Sequence, residues 1–414
     1  MTSTEPKIGH NLKRHRKAAG LSQEALSEAS GICVSVIRDL EQGRRDTARM
    51  PTLSAFAAAL HITTGQLFGD ASAGVDRREP DAEPVGLIGV RRALTPVRGL
   101  DGQPLDVDPA GPAPTIADVT DAVRAANRIY HRNDYAATLA ALPGLLGQVR
   151  ALVDITGGDE QLAAHTLASR GYALAGRLLI QLRQVDLAHV ALDNALRHAR
   201  DSGDQVAGAE AVAPMCWLLL RCGRFADAKH LALRTAESTE PRLSTANPAE
   251  LAGWGQLLIK AAAAAVRDAS RDEASEILDL AAAGALRLGD RRAPHANLIG
   301  NDFSTEGVHL MRVEAAVIAG QPDQALTLAE NITRSPQVTP SARQRNRLDV
   351  AWSYVQTGQH AAATRTLLDL RDTAPAWLRH QPYAGDIVGE IIDTRRRAAS
   401  AELADLMSTV GYTP

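Results

Sequence analysis

The stretch LSQEALSEASGICVSVIRDLEQGRR, residues 21–45, constrains this chain more than any other. It reads as two short helices joined by a tight turn. Ser22 is suited to cap the first helix, because its hydroxyl can accept an orphan backbone N–H. Leu21, Ala25, Leu26 and Ala29 follow at helical spacing. Gly31 supplies the backbone freedom of a sharp turn. Ile32, Ile37 and Leu40 can then pack the second helix back on the first, which leaves Val34, Ser35, Val36, Arg38 and Asp39 on or near the open face. Gly43 ends the second helix, and Arg44 and Arg45 follow at once.

Gly20-Leu21-Ser22-Gln23, Gly31, Ile37, Leu40-Glu41, Gly43 and the later Leu60-x-Ile62…Leu67-Phe68 form an ordered set. Through it the segment of roughly 7–69 resembles the XRE/Cro family of phage-repressor-like regulators. The resemblance implies a five-helix DNA-binding domain. Its first helix would run from Ile8 to Ala19, and two closing helices would run over about Leu53 to Leu60 and Thr63 to Phe68. In the family the recognition helix is usually capped by Ser or Thr. Cys33 stands there instead, which weakens the cap and makes the thiol a minor candidate for a redox switch.

Charge distribution agrees with a nucleic-acid partner. The formal net charge is −3, yet residues 1–70 carry nine Lys and Arg against seven Asp and Glu. Lys7 to Lys17 contains no acid, and a locally basic helix on a mildly acidic protein steers one face toward phosphates. The three cysteines, Cys33, Cys216 and Cys222, have no metal-ligand spacing and read as reduced thiols. No secretory signal is evident, and the most apolar run, residues 251–266, is too short to span a bilayer. No membrane association and a cytoplasmic, nucleoid-associated location are therefore expected.

Aromatics make up only 3% of the chain, while Ala and Leu abound, which argues for closely packed helices and against sheets. Residues 70–115 are rich in Pro and Gly and read as a linker, with one short helix in VGLIGVRRALTP, 85–96. From about residue 116 to 414 a weak repeat recurs: a helix end, a short turn, then a small residue. It places Ala137, Ala188, Ala228, Ala274, Ala325 and Ala363 where paired helices cross closely. Such helical hairpins resemble tetratricopeptide repeats, at a period irregular and longer than roughly 34 residues. The expected class is all-α: a helix-turn-helix domain over 1–69, a linker over 70–115, and a TPR-like α-solenoid of six or seven hairpins over 116–414. With ALTP at 93–96 and the segments 303–326 and 343–388, the arrangement resembles a group of actinobacterial regulators.

A recognition helix presents its N-terminal residues to base edges in the major groove. Arg38 can donate to guanine, Val34 and Val36 can meet thymine methyls, and Ser35 can reach a base or phosphate. Asp39 can orient Arg38 or accept from cytosine. The family resemblance adds Gln23 as a backbone contact, and the basic run adds Arg14. Arg44 and Arg45 should reach phosphates. For Arg16 the resemblance implies an ion pair with Glu41, which does not exclude a phosphate contact.

More distantly, the array resembles the sensor domains of peptide-pheromone receptors, which clamp a peptide with Asn and Arg from inner helices. That resemblance implies ligand candidates at Asn297, Asn301, His309, Arg312, Arg343, Asn346 and Arg347, with Trp254, Trp217, Trp352 and Tyr354 lining a groove. No phosphate loop, metalloprotease helix or nucleophile elbow occurs, so no enzyme, metal or cofactor is expected. The leading expectation is a homodimeric regulator that binds an inverted repeat in double-stranded DNA and answers to a peptide or small-molecule effector. A constitutive repressor that uses the repeats only to dimerise, and a protein-interaction scaffold, stand as alternatives.

Overall fold

A computed structural model describes residues 8–45, 48–60, 62, 64, 67, 86–97, 99–100, 113–291, 303–335, 337–394 and 401–410. Among them every regular element is a helix, and none is a strand. The N-terminal unit has α1 (Ile8–Ala18), α2 (Gln23–Ser30), α3 (Val34–Glu41) and α4 (Met50–Leu60). Of the expected fifth helix only Thr64 and Leu67 are described, both helical. Leu12, Leu26, Ile37, Leu40, Leu53, Phe56 and Leu67 form a core of their own. Ser22 caps α2 by accepting from the Ala25 amide at 3.0 Å, and Gly31 turns the chain at φ 70°. Both features follow from the residue types alone.

The connector's helix, α5 (Leu87–Leu94), is built into the second core. Leu87, Val90 and Leu94 are buried there. Within the span read as linker, this helix is therefore packed against the array.

Six hairpins follow: α6 (Ile116–His131) with α7 (Tyr135–Ile155), α8 (Gly158–Gln181) with α9 (Val185–Ser202), α10 (Gln205–Arg221) with α11 (Phe225–Ser238), α12 (Pro248–Arg267) with α13 (Arg271–Leu288), α14 (Thr305–Ile318) with α15 (Pro322–Glu330), and α16 (Pro340–Gln356) with α17 (His360–Thr373). The first helix of each hairpin packs on the first helix of the next, giving a solenoid-like array with one continuous inner row. α18 (Pro375–Arg379), α19 (Pro382–Thr394) and α20 (Ala401–Val410) close the far end.

Each hairpin turns through one residue in left-handed conformation: Asn133, Arg183, Gly223, Ala269, Gly320 and Gly358, with φ between 58° and 75°. In five of them the next amide bonds back to a carbonyl five residues earlier, as Gln184 N–H does to Leu179 O at 2.9 Å. This is the Schellman closure of a helix C-terminus. Five residues beyond the left-handed position the side chain is fully buried between the paired helices: Ala188, Ala228, Ala325 and Ala363 are 0% exposed. In the first hairpin that position belongs to Thr138, also 0% exposed, and not to Ala137. The Thr138 hydroxyl is satisfied by the Asp134 carbonyl at 2.7 Å, so a Thr fits where Ala was expected.

α7, and not residues 251–266, is the one described helix long and apolar enough to cross a membrane by length and composition. It holds Pro143 and Arg150, and its Leu139, Leu142, Leu146 and Val149 are buried in the array. Its apolar face is accounted for by packing.

Candidate nucleic-acid interface and ligand cavity

The recognition segment is held from behind. Arg16 Nε and Nη2 donate to both Glu41 carboxylate oxygens at 2.6 and 2.8 Å, and its Nη1 donates to the Leu21 carbonyl at 2.7 Å. Gln23 Nε2 adds a bond to Glu41 Oε2 at 2.8 Å. Burial pushes the Glu41 carboxyl up, but the Arg16 and Gln23 bonds outweigh it and hold it below the ordinary value. The Glu41 bond raises the Arg16 guanidinium above its own. One bidentate pair therefore ties α1, the turn before α2 and the end of α3 together. Of the roles read for Arg16, the structure shows the ion pair: the residue is 8% exposed and its guanidinium is bound to Glu41 and to the Leu21 carbonyl. Gln23 is half-buried and bound to the same carboxylate.

Ser35 and Arg38 are exposed on α3, Val34 is half-buried, and Arg14, Arg44 and Arg45 are exposed around them. Val36 differs from the open-face reading, since it packs partly on the core. Asp39 pairs with Arg44 at 3.2 Å. Cys33 is the residue before α3, and its side chain makes no capping bond. Cys33→Ser is expected to raise stability by about 1 kcal/mol, because the hydroxyl can take an orphan N–H that the thiol leaves to water. Urea unfolding midpoints of the two proteins test this, and an unchanged or lower midpoint counts against it.

Arg49 and Thr64 join this unit to the array. Arg49 lies 4.1 Å over the Trp352 ring, and donates to Glu390 Oε2 and to the Asp386 carbonyl, both at 2.7 Å. Thr64 Oγ1 donates to the Arg267 carbonyl. Arg49 counted among the basic residues of the N-terminal segment, yet its charge is spent on α19.

The inner row, with Trp377 and Tyr383 from the far end, lines a half-open cavity of about 710 Å³. Of the ligand candidates among the described residues, only Asn346 and Trp217 line it. Arg343 is bound bidentately by Glu306 at 2.7 and 2.8 Å, and Arg347 pairs with Asp369. Arg312 pairs with Asp279 at 2.7 Å, and with His309 it borders a small separate hollow. Trp254 is core, its ring against Gly284, and Trp352 is buried under Arg49. Asn297 and Asn301 lie outside the described residues.

The cavity's own chemistry was not singled out in the sequence. Arg267 pairs with Glu314, and Arg345 lies between Glu314 at 3.6 Å and Asp349 at 3.3 Å. Burial pushes Glu314 up, but Arg267 and Arg345 pull it down to about 2. Asp349 is raised, by burial first and by Glu314 in addition. Burial, with Arg177 nearby, lowers His131 to about 3, so its imidazole is neutral at neutral pH.

Elsewhere the fold brings His165 and His198 together, Nδ1 to Nδ1 at 2.9 Å. Among the described residues no group of three metal-ligating side chains forms. Cys216 is buried, which pushes its thiol up to about 12 and makes it unreactive.

The family model of a helix-turn-helix domain matches residues 7–67. The N-terminal unit is a helix-turn-helix domain. No curated protein matches the chain. Among solved structures it is similar to the apo form of the competence regulator ComR from Streptococcus vestibularis. The identity is 13% over 84% of this chain and 99% of that one, with a TM-score of 0.32.

Proposed function

We propose that this protein is a sequence-specific DNA-binding transcription regulator whose affinity for DNA responds to a ligand in the cavity of the array. The observation that carries the reading is the presentation of α3. Its inner face is locked by Ile37, Leu40 and the Arg16–Glu41 pair, while Ser35 and Arg38 stand exposed with Arg44 and Arg45 beside them. A rigidly held helix with a free donor on its outer face is what major-groove reading requires. The signposts along residues 7–69 support the XRE/Cro subtype, the Ala-marked hairpins support a tetratricopeptide-like array, and ALTP at 93–96 with the segments 303–326 and 343–388 supports the actinobacterial type. One small domain makes few base contacts, so we read the working form as a homodimer on half-sites about one helical turn apart. Thr64 bonds the backbone of Arg267, whose side chain lines the cavity. That bond supports communication between ligand and DNA-binding unit.

Selection of bound duplexes from a random library, followed by fluorescence anisotropy, tests the reading. An inverted repeat is expected. Arg38→Ala should weaken binding by about 1–3 kcal/mol and relax preference at one base pair per half-site. Arg45→Ala should weaken all sequences alike and lower the salt slope by about one. No selected sequence, or an Arg38→Ala protein with unchanged affinity and preference, would sink it.

A further inference from the structure

We infer that the cavity takes a small organic anion, an acid group carried on an apolar body, with Arg221 and Lys260 as the charges that receive the acid. The inference rests on the ligand-responsive reading above and names the chemistry of its ligand. Six basic side chains line the cavity, Arg177, Arg183, Arg221, Lys260, Arg267 and Arg345, against three acids. The acids are already engaged. Glu210 is bound by Arg170 at 3.0 Å, Glu314 by Arg267 and Arg345, and Asp349 by Arg345. Among the described residues Arg221 and Lys260 have no carboxylate within ion-pair reach.

Arg221 is open to solvent inside the cavity, yet protein surrounds it. Desolvation, with Arg345, Arg183 and Arg267 close by, lowers it to about 10. An excess of positive charge in a concave, low-dielectric space is a standing attraction for an anion. The apolar part has a wall to meet: Arg221 sits 5.7 Å over the Trp217 ring, and Ile259, Leu310 and Met311 also face the space.

Unmet polar atoms point the same way. Gln181 Oε1 and Asn346 Nδ2 are buried without a hydrogen bond, each residue 8% exposed, and both ring nitrogens of His131 are likewise unbonded. All three residues line the cavity. Buried polar atoms ordinarily have partners, so a cluster lacking them around one space marks where a ligand or its water would bond. The volume lies in the range of small-molecule sites, roughly 300–1,000 Å³.

The full chain titrated with 8-anilinonaphthalene-1-sulfonate, an aromatic anion, and with uncharged N-phenyl-1-naphthylamine tests this by dye fluorescence. The sulfonate is expected to saturate at one per chain and to bind about tenfold or more tighter than the neutral dye. Arg221→Gln and Lys260→Gln should each remove about tenfold of that preference, while Arg221→Lys keeps most of it. With unaltered protein, added salt should weaken the sulfonate and not the neutral dye, a result that holds even if a variant fails to fold. Equal binding of the two dyes, or a sulfonate affinity indifferent to both Gln variants and to salt, overturns the inference. DNA binding measured separately without dye tells a failed anion site from a failed regulator reading.

Discussion

Gly9→Ala is expected to destabilise the packed helix-turn-helix domain strongly while leaving the array folded. A Cβ on Gly9 would overlap the Leu40 carbonyl oxygen and press on the Glu41 amide, so α1 rests directly on the last turn of α3. These obstacles are backbone, which cannot rotate aside as a long side chain would. The helices must separate, and Leu12, Ile37 and Leu40, each 1% exposed or less, lose their contacts together. Overpacking a core costs about 1–3 kcal/mol where side chains can yield, and occasionally more; against backbone the upper end or beyond is expected. Hydrogen exchange on the full chain should show sharply reduced protection over residues 8–41 with the array unchanged. Retained protection in α1 and α3 would mean that the approach is looser than described.

The second large effect is expected at the ion pair beside that contact. Arg16→Ala leaves Glu41 as a buried carboxylate with only Gln23 to bond it. Breaking a buried pair from one side costs about 3–5 kcal/mol, a large part of a domain's usual 5–15 kcal/mol. DNA affinity should fall with it, since the pair holds the C-terminal end of the reading helix. Arg16→Lys should recover only part, because an ammonium cannot make the fork of two bonds. The pair also sets a pH dependence. Glu41 titrates below the unfolded glutamate value of about 4.3, so its contribution is present above that pH and is lost as pH falls through the lower folded value. Urea midpoints of the domain against pH check this: the unaltered protein should lose stability into the acid range, and Glu41→Gln should lose less. An Arg16→Ala protein as stable as the unaltered one would show that the pair contributes little.

Much of the DNA-facing half was legible because its signals are local. Ser22, Gly31 and Gly43 act within one turn of themselves, and the buried residues of α2 and α3 repeat at the helical period. The left-handed hairpin turns are partly legible in the same way, where Gly223, Gly320 and Gly358 stand. Arg183 and Ala269 occupy equivalent positions with no residue-type signal, since the hairpin's packing imposes the conformation on them. The first hairpin's register slipped by one for a related reason: two alanines are adjacent there, and only burial distinguishes them from Thr138.

The ligand side was legible only as composition. Arg343, Arg347 and Arg312 are basic residues on or beside the inner row, as expected of a clamp. Each meets a carboxylate brought by another helix, Glu306, Asp369 or Asp279, and sequence spacing carries no record of such meetings. Arg221 and Lys260 gave no signal of their own. They matter because the neighbours that could neutralise them are already paired.

By itself the sequence determined what depends on neighbours a few residues away: the helices, their caps and turns, the small residues at the hairpin crossings, and the outward set Ser35, Arg38, Arg44 and Arg45. The tertiary structure alone decided which charges remain unanswered, that Arg49 leaves the basic face to sit on Trp352, and that a cavity with surplus positive charge lies along the inner row. The physical reason is range. Backbone hydrogen bonding and helical periodicity act within about one turn, whereas an ion pair or a cavity depends on helices that the chain brings together from far outside that range, as with Arg49 and Glu390.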